Sequence, residues 1–180
     1  MRMLRPCLVM FALMLLLLGV IYPAVVYGVG TLLFPDKAQG RLIYKNDKLV
    51  GLAMVGQRFI NRAYFHTRHT GPSNLNAADP VLLARLEHRA INLRTENPDV
   101  QTPVPAELAM GSASGLDPHI SPAAALWQAL RVAKARGIDV QTVTQLIDAH
   151  TEPRNLFLGG AARVNVLLLN MALDNKEQKQ

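Results

Sequence analysis

Residues 6–35 read PCLVMFALMLLLLGVIYPAVVYGVGTLLFP, a run of 30 residues without a charged side chain. A helix needs about 20 apolar residues to cross the hydrocarbon core of a bilayer, so this run is long enough. Pro23 lies inside it and predicts either a kink or an early end of the helix. We therefore predict a single transmembrane helix over residues 7–34, preceded by a short N-terminal tail of residues 1–6.

A cleaved secretory signal is the alternative interpretation of the same run. Arg2 and Arg5 form a basic start, and residues 7–20 have the composition of a signal-peptide core. Cleavage would leave a secreted binding protein. The apolar run continues well past such a core, however, and no Ala-x-Ala site follows it. These two observations favour a retained anchor. Cys7 is the only cysteine, which excludes an internal disulfide.

Basic residues flank the apolar run on both sides. Two arginines precede it, whereas four basic residues follow closely: Lys37, Arg41, Lys45 and Lys48. Counting alone would leave the C-terminal domain in the cytoplasm, but long domains translocate largely regardless of charge. A short basic N-terminus ahead of an apolar run is typical of a signal-anchor. We therefore expect a cytoplasmic N-terminus and a C-terminal domain outside the membrane.

The remainder of the chain is predicted to fold as one compact soluble α+β domain over residues 36–174, with a polar tail of residues 175–180. The whole chain is 50% hydrophobic and 18% charged, which excludes a disordered protein. Residues 36–180 contain 17 Lys/Arg and 13 Asp/Glu, a net charge of only +4. Since no basic run is interleaved with aromatic residues, we expect no nucleic-acid partner.

Turn and capping residues predict several elements of this domain. Residues 42–44 and 49–55 read as two strands of a hairpin around Asn46-Asp47. A helix is predicted to start at Asp79-Pro80 and to stop at Asn97-Pro98. Each prediction rests on short polar or proline signals that act locally.

Further helices are predicted towards the C-terminus. Ser121-Pro122 opens one helix and Gly137 closes it, with one apolar face made by Leu126, Ala129, Leu130 and Ala133. Asp139 caps the next helix. Residues 108–110 suggest a short buried strand, and residues 164–173 a core element that is either helix or strand.

No strong catalytic motif is present. The sequence lacks a phosphate-binding loop of the Gly-x-x-x-x-Gly-Lys type, a Gly-x-Ser-x-Gly elbow and a His-Glu-x-x-His pair. His66 and His69 could bind a metal with His119 or His150, but these histidines are scattered and no cysteine accompanies them. A metal site is therefore the weaker interpretation.

Ser114, Asp117 and His119 bring a hydroxyl, a carboxylate and an imidazole within six positions. A hydrolase is the chemical interpretation, but a nucleophile and its base rarely come from one short loop. A turn explains the stretch better, because Gly115 frees the backbone and Asp117-Pro118 restricts it. The nearby cluster of Arg131, Lys134 and Arg136 is explained by charge complementarity to a helix C-terminus.

Ordered motifs along the chain nevertheless resemble a known family. The longest is SASGLDPHISPAAA at residues 112–125. Shorter ones are Tyr22-Pro23, Val55-Gly56-Gln57, Tyr64-Phe65-His66 with Arg68, Ser73-Asn74-Leu75 and residues 163–167. Together they resemble the C subunit of the bacterial Kdp potassium-transporting ATPase, over nearly the whole chain.

The resemblance implies a non-catalytic accessory subunit in the bacterial inner membrane. In that family a potassium-binding channel-like subunit selects the ion, and a P-type ATPase subunit hydrolyses ATP through its own phosphorylated Asp. The C subunit assembles with both partners in the lipid bilayer. It has been assigned the role of a catalytic chaperone that raises the ATP affinity of the ATPase subunit.

ATP is accordingly an expected transient cofactor, shared with the ATPase subunit. The candidate residues for contact with ATP or a partner are those of the motif loop: Ser114, Gly115, Asp117, His119 and Ser121. A domain outside the membrane could affect ATP binding only indirectly, through the conformation of its partners. In that case it would more naturally cap the potassium entrance.

The sequence departs from the family pattern at two places. The loop between Arg68 and Ser73 is shorter than is usual in the family, which puts any contact made by that loop in doubt. Leu130 stands where the family has a proline, so we expect a more regular helix there.

Overall fold

The computed structural model describes residues 4–45, 48–68, 75–154 and 159–177. Contacts divide the chain into two units, the first ending at Leu52 and the second beginning at Ala53. The first contains the apolar helix and a hairpin, and the second contains helices with a small sheet, which confirms the α+β class.

One helix of 30 residues, Leu4–Leu33, begins the first unit and is long and apolar enough to cross a membrane. It consists of α1 (Leu4–Leu16), a π-helical turn (Leu17–Ile21) and α2 (Tyr22–Leu33). None of its most apolar window is buried inside the chain. This exposure fits a single-pass membrane subunit, because lipid would cover the apolar side chains.

The π-helical turn ends at Ile21, two residues before Pro23. Within it, the Tyr22 N–H donates to the carbonyl oxygen of Leu17, five residues back. Proline cannot donate a backbone hydrogen bond, and its ring clashes with the carbonyl four residues earlier. A wider turn is one way to relieve that clash. Of the two alternatives for Pro23, a kink or an early end, the early end does not occur, since α2 continues to Leu33.

A short helix and a hairpin complete the first unit. Helix α3 (Pro35–Ala38) is followed by strands β1 (Leu42–Lys45) and β2 (Lys48–Leu52), which pair antiparallel. The hairpin is confirmed, although its second strand ends at Leu52 and not at residue 55. The register shifts by one residue between Ile43 and Tyr44, which marks a β-bulge. The predicted turn residues lie outside the described part.

The described part of the second unit contains five helices. They are α4 (Pro80–Glu96), α5 (Ala106–Ala109), α6 (Pro122–Arg136), α7 (Val140–Ala149) and α8 (Val166–Glu177). Strands β3 (His119–Ile120), β4 (Thr151–Glu152) and β5 (Arg163–Asn165) form one antiparallel sheet in the order β3-β5-β4.

The predicted helix boundaries in this unit are confirmed, although the Asp139 side chain, at the start of α7, makes no capping hydrogen bond. The Asp79 side chain accepts a hydrogen bond from the Val81 N–H at 2.8 Å and caps α4. Ser121 Oγ accepts from the Ala124 N–H at 3.1 Å and caps α6. Gly137 ends α6 with a φ of +67°, in the left-handed region where glycine carries no steric cost. Local side-chain chemistry therefore sets these ends.

The prediction of a short buried strand over residues 108–110 is wrong. These residues belong to and follow the single helical turn α5, in which the Leu108 N–H donates to the Pro105 carbonyl at 3.0 Å. Leu108 and Ala109 are buried, but Met110 is 53% exposed. A three-residue apolar run has no period that separates a strand from a helical turn, and here the proline start favours the turn.

The predicted inner face of α6 is only partly right. Ala129 and Ala133 are buried, whereas Leu126 is 44% exposed. The helix also buries Gln128 and Arg131, which an apolar pattern cannot select. Burial follows from what packs around the helix, and here polar side chains have internal partners.

The core element predicted over residues 164–173, for which the sequence allowed either a helix or a strand, is part strand and part helix. Its first residues belong to β5, and the chain continues directly into α8. The core of the second unit contains one aromatic ring from the irregular segment before α4, Phe65, which is fully buried. Around it pack side chains from the helices and the sheet, including Trp127, Val132, Val143, Ile147, Val164 and Leu169.

Candidate functional site

The motif loop, residues 111–121, joins α5 to α6 and contains all five candidate residues. Asp117 is its central side chain. Asp117 Oδ1 accepts hydrogen bonds from the His119 backbone N–H at 2.9 Å and from His119 Nδ1 at 3.1 Å. Its other oxygen forms an ion pair with the Arg68 guanidinium, 49 residues earlier in the chain. The structure thus brings together Asp117, His119 and Arg68.

The surroundings of Asp117 favour its charged form. Burial alone would raise the pKa of this carboxyl, but the hydrogen bonds from His119 and the charge of Arg68 outweigh it and hold the pKa below its usual value of 3.8. The carboxylate therefore stays ionised and acts as an acceptor for three groups. This arrangement fixes the loop, because an ionised acceptor makes stronger hydrogen bonds than a neutral one.

Gly56 packs directly against the motif loop. Its N–H donates to the Leu116 carbonyl at 2.6 Å. A Cβ added at Gly56 would lie 2.7 Å from the Asp117 carbonyl oxygen, closer than real Cβ atoms approach. The position therefore requires glycine for close approach of two backbones. Sequence reasoning found the Val55-Gly56-Gln57 motif only through the resemblance and did not assign this contact.

Ser114 and Gly115 form the tip of the motif loop. Ser114 is exposed, and its Oγ accepts a hydrogen bond from the Leu116 N–H at 3.1 Å. Gly115 has a φ of +69°, and its N–H donates to the Ser112 carbonyl at 3.1 Å. Among the described residues no hydrogen bond joins Ser114 to His119. The geometry is that of a turn, and it lacks the nucleophile–base contact of a hydrolase.

The C-terminal end of the loop is attached to the core on several sides. His119 and Ile120 pair with β5, and the Pro118 carbonyl accepts from the Val166 N–H at 3.0 Å. Ser121 Oγ, besides capping α6, donates to the Glu107 carboxylate of α5. The candidate residues from Asp117 to Ser121 are therefore held by contacts within the chain.

The histidines of the proposed metal site have separate partners. His66 Nδ1 lies 3.4 Å from Glu96, His119 Nδ1 contacts Asp117, and His150 Nδ1 lies 2.9 Å from the Leu146 carbonyl. His69 falls outside the described residues. Within the described ranges, no group of three His, Cys, Asp or Glu side chains is placed to hold a metal ion.

Arg131 lies inside the second unit, only 7% exposed. Its Nε donates to Asn97 Oδ1 at 3.0 Å, and its Nη1 donates to the carbonyls of Arg62 and Tyr64. Its Nη2 donates to Gln128 Oε1 at 2.9 Å. Burial is the main cause that lowers the pKa of Arg131 to about 10, against the opposing charge of Glu96. The guanidinium is thus a structural donor, fully used within the chain.

The other two basic residues of this cluster, unlike Arg131, pair with carboxylates. Lys134 Nζ lies 2.7 Å from Asp99, and Arg136 Nη2 lies 2.9 Å from Asp174. The Arg136 side chain additionally lies over the ring of Tyr64, 4.7 Å from its centroid. Complementarity to the helix C-terminus was the sequence-based explanation, and the structure adds these specific partners.

Two buried amide side chains hold the irregular segment before α4. Asn170 Oδ1 accepts from the Phe65 N–H at 2.8 Å, and its Nδ2 donates to the Phe65 carbonyl at 3.0 Å. Gln128 makes the same pair of bonds with the next residue, His66, at 2.9 and 3.2 Å. Sequence reasoning missed Gln128 and Asn170. An apolar pattern does not select polar residues for burial, so it gave no signal for either of them.

Comparison with known proteins places these features in one family. The sequence model of the family described as "K+-transporting ATPase, c chain" matches residues 4–175. The KdpC subunit of the potassium-transporting ATPase of Rhodospirillum rubrum is 45% identical, with 97% of this chain and 96% of that protein covered. The corresponding subunit of Klebsiella pneumoniae is 42% identical, with 99% and 100% covered. That of Polaromonas naphthalenivorans is 46% identical, with 95% and 93% covered.

Proposed function

Because the chain belongs to the family of the K+-transporting ATPase c chain, we propose that it is a membrane-anchored scaffold of that complex. It holds a potassium-binding channel-like subunit and a phosphorylated ATPase subunit together, and it contributes no catalytic residue of its own. The bilayer helix fixes it in the inner membrane, and the second unit makes the protein contacts on one side of that membrane.

The contacts of the motif loop are the observation that supports a scaffold best. The Asp117 carboxylate, the Ser121 hydroxyl and His119 Nδ1 are all bonded to other groups of the same chain. Catalysis or nucleotide binding needs donors and acceptors that are open to a ligand. A loop that is closed on itself instead presents a fixed shape, which is what a protein partner needs.

The apolar helix supports a structural role within the membrane. It has no charged side chain from Pro6 to Pro35. Ion pathways in membranes are usually lined by charged groups, carbonyl rings or other polar groups, so selection of potassium belongs to the partner subunit. With the N-terminus in the cytoplasm, the second unit lies outside and faces the ion entrance of the complex.

In this arrangement the chain affects ATP binding by the ATPase subunit only indirectly. ATP is the cofactor of the ATPase subunit, and this chain raises the affinity for it by stabilising the conformation of the assembled partners. A ligand or subunit can shift such an equilibrium only by its differential affinity for the two conformations. The chaperone activity is therefore a coupling across the membrane.

One tag at the C-terminus tests both the orientation of the chain in the membrane and its assembly with the partner subunits. We expect protease to remove the tag in intact spheroplasts, and the tagged chain to purify with both large subunits in mild detergent. Protection of the tag until lysis would contradict the outside location. Purification of this chain alone would contradict the scaffold role. A tag at the N-terminus, which should stay protected in intact spheroplasts, is the matched control.

The indirect effect on ATP is tested by kinetics of the complex with and without this chain. The KM for ATP of the ATPase subunit should rise when the chain is missing, and Ser114→Ala in the intact complex should leave that KM unchanged. A rise in KM with Ser114→Ala equal to that of the missing chain would show that the loop itself contacts the nucleotide.

A further inference from the structure

Three arginines line one cavity of the second unit. Arg58, Arg68 and Arg89 come from the irregular segment before α4 and from α4 itself, and they surround a space of about 250 Å³ that is open to solvent. We call this space the arginine cavity. It is separate from the contacts that close the motif loop, except that Arg68 also pairs with Asp117.

The charge of the arginine cavity is positive. Among its described lining residues Glu96 is the only carboxylate, and it lies 3.4 Å from His66 Nδ1. Burial, reinforced by the charge of Arg131, lowers the pKa of His66, so its ring is neutral at pH 7. Arg68 is compensated by Asp117, so two guanidinium groups, those of Arg58 and Arg89, stand against the carboxylate of Glu96. This balance repels a cation such as potassium and attracts an anion.

The arginines of the cavity are only partly satisfied within the chain. Arg68 Nε is buried and has no hydrogen-bond partner among the described residues. Arg89 Nη1 donates to the Ala109 carbonyl at 3.3 Å, and Arg58 is exposed. No ion pair of the described part joins a carboxylate to Arg58 or Arg89. Arg131, by contrast, uses all its nitrogens, so Arg58 and Arg89 keep donors available that Arg131 does not.

The walls of the cavity are apolar beside these charges. Phe59, Leu93 and Leu108 contribute to the lining, and Ile60 at the same cavity is 80% exposed. A small inorganic anion would use the arginines and leave these side chains in water. A peptide segment with an acidic side chain next to an apolar one would use both, because burial of the apolar surface adds to the charge attraction.

We propose that the arginine cavity binds an acidic segment of one of the partner subunits. One Asp or Glu carboxylate of that segment lies between the guanidinium groups, and a neighbouring apolar side chain packs on Ile60 and Phe59. This inference rests on the proposed function, since it supposes that partner subunits are present. It goes further by naming the surface and the chemistry of the contact.

Charge reversal in the assembled complex tests this surface. Arg58→Glu and Arg89→Glu should each lower the recovery of partner subunits with the tagged chain about tenfold, since a repulsive contact replaces an attractive one. Arg85→Glu makes the same charge change one turn away on α4, at an exposed residue outside the cavity, and should leave recovery unchanged. Recovery in both cavity variants equal to that of Arg85→Glu would overturn the proposal.

A separate control tests whether the variants fold. Arg58→Glu removes no described intramolecular hydrogen bond, so its unfolding transition should match that of the unsubstituted chain and recovery can be read directly. Failure of the unsubstituted chain itself to retain partners would contradict the proposed function, whereas retention by all variants would contradict only the arginine cavity.

A photo-crosslinking residue in place of Ile60 identifies the occupant. A cross-link to a partner peptide that contains Asp or Glu supports the proposal, and a complex that stays intact without such a cross-link overturns it. Inorganic phosphate is the comparison ligand. If phosphate at millimolar concentration stabilises the unsubstituted chain but not Arg58→Glu, while partner recovery of both stays equal, the cavity holds a small anion and not a partner segment.

Discussion

The motif loop and the arginine cavity share Arg68, yet they use polar groups in opposite ways. In the loop, Asp117 accepts from His119 and pairs with Arg68, so its charge is compensated inside the chain. In the cavity, Arg58 and Arg89 face solvent-accessible space without a carboxylate among their described partners. The difference separates residues that build the fold from residues that remain able to bind. A distinctive sequence motif can therefore be structural, while scattered arginines form the better candidate for a contact.

The largest effect that would sharpen this comparison comes from removing Arg131. Arg131→Met leaves Asn97, Gln128 and two backbone carbonyls without their buried donor, which should lower the free energy of unfolding by about 3 kcal/mol. Trp127 is the only tryptophan and is buried, so its fluorescence during a guanidinium titration of the full chain in detergent reports the change. Arg58→Glu is the control and should unfold like the unsubstituted chain. A loss below about 1 kcal/mol would show that Arg131 does not organise this core.

A smaller loss of stability is expected when a side chain is added at Gly56, where the chain packs against the motif loop. Gly56→Ala places a Cβ against the Asp117 carbonyl and should cost about 2 kcal/mol, since backbone atoms must move apart. Gly137→Ala is a useful comparison, because no atom lies within 4 Å of its added Cβ and only the left-handed φ opposes it. We expect Gly137→Ala to lower the free energy of unfolding by about 1 kcal/mol. Equal stability of Gly56→Ala and the unsubstituted chain would contradict the close approach.

Acid should weaken the loop through Asp117. The pKa of this carboxyl is below 3.8 in the folded chain, so the unfolded chain takes up the proton first as the pH falls. The stabilisation is complete above about pH 5 and is lost progressively as the pH drops through the folded pKa. Guanidinium titrations between pH 5 and pH 2.5 should show a shallower pH dependence for Asp117→Asn than for Asp148→Asn, which removes an exposed carboxyl. Identical slopes would contradict the assigned role of Asp117.

The smallest effect is expected at the tip of the loop. Ser114→Ala removes one hydrogen bond at an exposed residue and should change the free energy of unfolding by less than about 0.5 kcal/mol. Potassium uptake by cells that carry this variant should equal that of the unsubstituted chain. Hydrolytic turnover by the purified chain that disappears with Ser114→Ala would instead support the hydrolase interpretation.

Local signals explain which parts of the fold the sequence could predict. Asp79, Ser121 and Gly137 act on their own neighbours in the chain, so helix ends follow from a few adjacent residues. The apolar run before Pro35 is likewise a property of composition alone. The α+β class follows from the same local evidence, together with the resemblance to the family.

Long-range contacts explain what the sequence could not predict. The approach of Gly56 to Asp117 and the pairing of Arg68 with Asp117 join residues about 50 or more positions apart, and no spacing rule encodes them. The exposure of Leu126 and the burial of Gln128 depend on what packs around α6. The arginine cavity was missed for the same reason, since its arginines are far apart in the chain and form no motif.

The pairing of Phe65 and His66 with Asn170 and Gln128 limits how this family can vary by insertion and deletion. Each amide side chain pairs with the N–H and carbonyl of one particular residue, so an insertion between Phe65 and His66, or the loss of either, would move the wrong backbone groups into place. We expect natural length differences among relatives to fall outside this pair, although it belongs to an irregular segment. A loop without regular secondary structure can thus be as strict in length as a strand.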